Sequence, residues 1–403
     1  MSELALGGIR VLDLCRGMVG SYCTKILADF GAEVIKVEPP GVGDPLRRVG
    51  PFKQDRPNTD GAAFLYLCTN KKSITLDPAT ATGRGLFLRL LKDADVVVEN
   101  LKPGTLSSLG LGFAELEKVK PGIILTSTTF FGQTGPYASY EASELVGVAV
   151  GGYAELTGLP DREPLQPGGS QSQYQAGLGG AIATMASILW RDQTGQGQHI
   201  DVAAIDAIKA TYDGGRVFSM AEMGGEVPRR VGTRNIGNEP HMMYPSTLLP
   251  CKDGHIHVHV APGYAEALSV LTGIERLVDP ELLETQRGHA DEIDALITDW
   301  LKDKDKDSTM YLAQELRCPW TKVSRIDEVM NEDPQHTFMG FFQEVDHPEV
   351  GTLRYPTSAM RLSVSPALVG PAPTLGEHNE EVYVGRLGLA SQELAALRDR
   401  GVI

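Results

Sequence analysis

Three groups of side chains in this sequence have types and spacings that could do chemistry. His255, His257 and His259 alternate along a run that reads as a strand, so their imidazoles share one face. Imidazoles at i and i+2 can chelate a metal, and a catalytic zinc site takes three protein ligands. No carboxylate stands at a telling spacing, and the preceding turn Lys252-Asp253-Gly254 suits a surface strand, so no metal is expected. Gly169-Ser170-Gln171-Ser172 has the beginning of a nucleophile elbow, but Ser172 takes the place of the second glycine and no strand leads into it. Arg16-Gly17-Met18-Val19-Gly20, with Glu38 closing a later strand, carries part of a dinucleotide fingerprint. The full GxGxxG is missing, so a tight strand-to-helix turn with close packing is expected there, not a nicotinamide site.

The cations say more. Lys36 ends the second strand, Arg47 and Arg48 follow a Gly- and Pro-rich loop, Lys71 and Lys72 precede the third strand, and Lys102 follows Glu99-Asn100. A net charge of −15 leaves no footprint for nucleic acid or an anionic membrane, so an anionic ligand would need local basic groups. In a parallel α/β sheet the carboxyl ends of the strands form the ligand crevice, and Lys36 and Lys102 both fall at such ends. The cluster could converge on a phosphate-bearing ligand. Any one of these lysines taken alone reads equally as a solvated side chain.

The elements that must position these groups are visible in the apolar pattern. With 403 residues and 42% hydrophobic content, the chain fits two or three domains with a sizeable core. Strands are expected at 9–14, 34–37, 73–76, 96–98 and 122–127, with helices over 20–30 and 86–91 between them. Nearly all-apolar strands separated by helices predict a parallel, Rossmann-like α/β sheet covered on both faces. The Gly-, Ala- and Ser-rich run 174–191 predicts a helix that packs closely, deep in a core. From about 216 the texture changes to Gly- and Met-rich loops, a strand pair at 251–260 and charged helices including 291–301. A smaller α+β domain is therefore expected over 216–329, with 1–215 and 330–403 forming the large domain. A final helix starts near Ser391. Five scattered cysteines, the lack of a spanning apolar run and an N-terminus without a basic region together predict a soluble, cytoplasmic protein.

In order along nearly the whole chain stand Leu27-Ala28-Asp29-Phe30-Gly31-Ala32-Glu33-Val34-Ile35-Lys36, Thr69-Asn70-Lys71-Lys72, Val98-Glu99-Asn100-Leu101-Lys102-Pro103-Gly104, Phe131-Gly132-Gln133-Thr134-Gly135-Pro136-Tyr137, Thr194-Gly195-Gln196-Gly197-Gln198 and Gly376-Glu377-His378. Together these segments resemble the family III CoA-transferases, a family that includes formyl-CoA transferase, carnitine CoA-transferase and α-methylacyl-CoA racemase. The resemblance implies a large Rossmann-type domain built from both chain ends, a small intervening domain and two subunits interlocked like links. It also implies coenzyme A or an acyl-CoA as substrate, lying near Lys36, Arg47, Asn70, Lys71, Asn100 and Lys102, and a carboxylic acid as acceptor.

The same resemblance exposes a departure. Family transferases attack the donor thioester with an aspartate just ahead of the small-residue helix; that position falls on Gln173, flanked by Gln171 and Gln175. A neutral amide can donate a hydrogen bond but cannot form the anhydride this covalent route requires. The racemase histidine position falls on Ser143, and the nearest retained carboxylate is Glu144, where relatives usually carry Asp. The glycine loop of some relatives is reduced in Ile236 to His241 to Gly237 alone. Three readings follow. The chain is the non-nucleophilic subunit of a heteromeric CoA-transferase, as occurs in succinyl-CoA:benzylsuccinate CoA-transferase, with a homologous partner carrying the aspartate. Alternatively it is a homodimeric acyl-CoA isomerase or lyase using Glu144 as base, or a non-catalytic acyl-CoA binding protein.

Overall fold

The computed structural model describes residues 4–56, 59–211, 214–225, 227–234, 244–260, 265–284 and 288–403. The chain forms two compact units. The first comprises 1–153, 167–219 and 335–403; the second comprises 154–166 and 220–334. Residues 154–166 and 330–334, expected in the large domain, cluster with the second unit, and 216–219, expected in the small domain, cluster with the first. For the first of these segments the tie is local: Arg230 donates to Leu159 O at 3.2 Å and pairs with Glu155 at 2.8 Å.

The first unit is built on six parallel strands: β1 (Arg10–Asp13), β2 (Glu33–Glu38), β3 (Lys72–Thr75), β4 (Val96–Glu99), β5 (Ile124–Thr129) and β6 (His199–Ala203). Their order is β3-β2-β1-β4-β5-β6, the doubly wound arrangement. Alternate residues of each strand enter separate cores. Leu12, Ile35, Val97 and Leu125 pack with Phe87, Leu91 and the C-terminal Leu394 and Leu397 on one face. On the other face, Val11, Val34, Val96 and Ile124 pack with Cys23, Leu27, Ala181 and Ile188. Burial on both sides explains why the strands read as unbroken apolar runs. The chain's far end belongs to this unit: Tyr383 donates to Thr75 O at 2.8 Å, and Asp77 N to Val402 O at 2.8 Å.

Helix α1 (Met18–Asp29) follows β1, α2 (Ala81–Leu91) precedes β4, and α3 (Glu144–Val150) and α4 (Gln171–Thr194) lie between β5 and β6. The glycines of α4 let it lie against its neighbours. A Cβ on Gly177 would meet Val19 O at 2.6 Å and Tyr22 Cβ at 3.0 Å, and one on Gly180 would meet the Thr128 methyl at 3.0 Å. The expectation that this helix sits deep in a core holds for one side of it only. One face is buried, while Leu178, Ile182, Leu189 and Trp190 are exposed on the other.

The second unit holds a three-stranded antiparallel sheet: β7 (Ser246–Cys251), β8 (Gly254–His259) and β9 (Thr321–Lys322). Its core gathers Ile256, Val258, Ile297, Leu301 and Trp320. Among the described residues no helix is long and apolar enough to cross a membrane.

Candidate active site

A parallel sheet of this order reverses direction between β1 and β4, and the loops leaving those two strands diverge to opposite faces, opening a crevice at their carboxyl ends. A cavity of about 610 Å³ lies there. Its walls come from the turn after β1 (Arg16 to Val19), the turn after β4 (Asn100 to Pro103), the end of β5 (Thr128 to Phe131), the segment 138–142 and Gln173 in the first turn of α4. All of these belong to the first unit.

The two turns are clamped together by one side chain. Asn100 accepts from Arg16 N at 2.7 Å and donates to Arg16 O at 2.6 Å. Gly17, at φ +80°, supplies the left-handed step into α1, so the fingerprint-like segment is the tight turn expected of it and also a wall of the cavity. Beneath the second turn, buried Glu99 accepts from Leu101 N at 2.7 Å. Burial pushes the Glu99 carboxyl above the usual carboxylate range, opposed by hydrogen bonds from Ser127 and Leu101. Lys102 forms an ion pair with Glu141; both are exposed at the rim. Phe131, Tyr137 and Tyr140 make an aromatic cluster with ring centroids 5.1 to 6.1 Å apart.

Gln173 and Glu144, singled out separately in the sequence, meet in the structure. Glu144 accepts from Ser172 N at 2.9 Å, Ser172 Oγ at 2.7 Å and Gln173 Nε2 at 3.3 Å. Its carboxylate therefore serves as the N-terminal acceptor of α4, where the helix dipole and free N–H groups favour a negative charge. Gln173 lines the cavity and Glu144 stands behind it. Glu144 is thus engaged by three donors and does not itself line the cavity. The Ser170–Ser172 segment is helix start and not an elbow.

Of the six expected ligand contacts, the structure brings Asn100 and Lys102 to the cavity wall and directs the other four inward. Lys36 is fully buried, 2.8 Å from Asp44 and donating to Cys15 O at 2.8 Å. Lys71, also fully buried, donates to Asp13 at 3.1 Å, Thr24 Oγ1 at 2.7 Å and Ser21 O at 3.0 Å. Burial would raise the Asp13 carboxyl, but the Lys36 and Lys71 ammonium groups outweigh it and hold it at about 2. Arg47 grips Glu38 through Nε at 2.8 Å and Nη2 at 2.7 Å, reaches Asp60 at 2.6 Å and stacks over Phe64. Asn70, at φ +63°, donates to Asp29 at 2.7 Å and to Leu368 O at 3.1 Å, pinning the returning C-terminal segment. These four side chains are engaged with partners inside the chain and do not line the cavity. Arg16, missed as a cation because its segment reads as a glycine turn, lines the cavity with its guanidinium in no ion pair among the described residues. Its signal was available: it is the cation that follows β1, three residues beyond the strand's carboxyl end at Asp13.

In the second unit His257 and His259 lie on one face of β8 with rings 6.1 Å apart, and His259 contacts Ser246 at 3.1 Å. No group of three potential metal ligands occurs among the described residues. The segment 236–241 lies outside the described residues.

Comparison with known proteins matches this arrangement to one family. The family model described as CoA-transferase family III matches residues 6–379. The chain is 34% identical to a succinyl-CoA–D-citramalate CoA-transferase of Chloroflexus aurantiacus, over 99% of this chain and 98% of that one. It is 31% identical to a succinyl-CoA–L-malate CoA-transferase alpha subunit of the same organism, over 100% of this chain and 93% of the relative. Among solved structures, a CAIB/BAIF family protein from Brucella suis superposes with a TM-score of 0.84 at 29% identity, covering 95% of this chain and 99% of that one.

Proposed function

From the premise that the chain belongs to CoA-transferase family III, a family of enzymes, we propose that it is the non-nucleophilic subunit of a two-chain CoA-transferase. The enzyme moves CoA from an acyl-CoA donor, succinyl-CoA being the donor in the names of two relatives, to a carboxylic acid acceptor. The observation that carries this reading is Gln173. The side chain that meets the cavity where the family keeps its aspartate is an amide, held by Glu144 at 3.3 Å. Glu141 is the carboxylate on the cavity wall, and it is engaged with Lys102 at the exposed rim.

Coenzyme A binds this cavity with its phosphates at Arg16 and Lys102, and the turn held by Asn100 sets the distance between them. Lys36, Arg47, Asn70 and Lys71 act one layer down, keeping the strand ends and loops in place. The existence of a relative named as an alpha subunit supports a second, homologous chain as partner. The two interlock through surfaces that include the exposed apolar face of α4. Five free cysteines fit a reducing cytoplasm.

The test is chemical trapping. The purified chain, alone and with its partner, is incubated with succinyl-CoA and then treated with borohydride or hydroxylamine, and mass spectrometry locates any modified carboxylate. The expected result is no adduct on this chain and one on the partner's aspartate. An adduct on Glu144 would overturn the reading and make this chain catalytic in its own right.

A further inference from the structure

Lys102 and Glu141 come from different segments of the cavity wall, 39 residues apart in the chain, and meet there as an ion pair. The backbone on each side is held in place. Two Asn100 hydrogen bonds and the bond from Leu101 N to Glu99 fix the turn that carries Lys102. Beside Glu141, Tyr140 packs against Phe131 and Tyr137, and Glu144, three residues further on, is tied to Ser172 of α4. The two side chains are 74% and 81% exposed, so they can part by rotation alone, with no backbone movement.

An exposed pair of this kind contributes little to stability, so the fold has small need of it. Its effect falls on the cavity. Lys102 is one of two cations on the wall, and the other, Arg16, has no ion pair among the described residues. One anion position is thus held by a carboxylate of the chain itself, and the other is not. A lysine ammonium presents the same N–H donors to a carboxylate as to a phosphate oxygen. Two anions crowded onto one ammonium repel each other, so a ligand phosphate has to replace the Glu141 carboxylate. We propose that Glu141 is an internal stand-in for the ligand's anionic group, holding Lys102 until a phosphate of a CoA ester takes its place. Glu141 thereby lowers the affinity for CoA and eases its release. The proposal rests on the CoA site proposed above and names a residue that sets its affinity.

Calorimetry with CoA on the full chain tests this in wild type, Glu141→Gln, Lys102→Ala and the double variant. Both positions are exposed, so all four should melt at nearly the same temperature. Glu141→Gln should bind CoA about two- to fivefold more tightly than wild type, the span set by the strength of an exposed ion pair. In the Lys102→Ala background the same change should have no effect, because no ammonium remains to be released. Unchanged or weaker CoA binding by Glu141→Gln overturns the proposal and leaves the CoA site standing. Equal tightening in both backgrounds also overturns it, since Glu141 would then act by plain repulsion of the ligand. Pantetheine, which carries no phosphate, should bind wild type and Glu141→Gln alike, and a tightening as large as that for CoA overturns the proposal. If neither wild type nor Glu141→Gln binds CoA, the site and the proposal fall together.

Discussion

Two lysines that look alike in the sequence do opposite work. Lys102 is exposed and paired at the rim with Glu141, an arrangement worth about 0–1 kcal/mol to stability. Lys71 is fully buried against Asp13, where removing one partner strands a charge at a cost of about 3–5 kcal/mol. Lys102→Ala should therefore leave thermal unfolding nearly unchanged and weaken CoA binding, whereas Lys71→Met should lower the unfolding midpoint sharply. The pH dependence follows from the same pair. The folded Asp13 carboxyl is held at about 2 against an ordinary 3.8, so its stabilising contribution is present above the unfolded value and is lost as pH falls toward about 2. Without the Lys71 ammonium the folded value rises toward the ordinary one, and acid unfolding of Lys71→Met should begin at higher pH than in wild type. Equal acid midpoints, measured by circular dichroism, would refute this account of the network.

At the scale of elements, the helix carrying Gln173 is placed by what it lacks. Gly177 faces Val19 O and Tyr22, and an added methyl would approach them at 2.6 and 3.0 Å. Gly177→Ala should cost about 1–3 kcal/mol in denaturant unfolding, because α1 and α4 must separate to admit it. The same separation would shift Gln173 relative to the cavity; an unchanged unfolding midpoint would show that the close approach is not needed. The inner part of the sheet was legible because strands such as β4 are buried on both faces and so announce themselves as apolar runs, whereas the edge strand β6 is partly exposed throughout. The first turn of α4 was not legible, since the expected helix begins at Tyr174 and the observed one at Gln171. Ser170-Gln171-Ser172-Gln173 has the spacing of a capping box, but Ser170 makes no side-chain cap bond; the acceptor is Glu144, 28 residues away for Ser172, and a tertiary cap leaves no trace in a local window. The same limit governs the cations. Lys36 and Lys102 both read as strand-end cations, whereas β2 runs on to Glu38 and β4 stops at Glu99; which of the two finds a buried carboxylate depends on the loop at Asp44, whose course no spacing rule reveals.

For the whole molecule the decisive question is what covers α4. Leu178, Ile182, Leu189 and Trp190 are between 38 and 65% exposed on one helix, more apolar side chain in one place than a solitary soluble chain usually leaves in water. Helical spacing puts Leu178 and Ile182 four residues apart and Ile182 and Leu189 seven apart, so these three share a face that a partner subunit can bury. Burying them removes apolar area at about 25 cal/mol per Å², and a charge introduced there would remain unpaired in the interface. Ile182→Lys lies on the face of α4 away from Ala181 and Thr184, which are buried, so it should leave the fold of the chain intact. Light scattering should find wild type at a multiple of 43.4 kDa, or in a complex with its homologous partner, and Ile182→Lys at a smaller mass or unable to pair. A wild-type chain that stays a cooperatively melting monomer when mixed with a homologous candidate partner would contradict the proposed two-chain enzyme at its root, since under that proposal the chain has no transfer to perform alone.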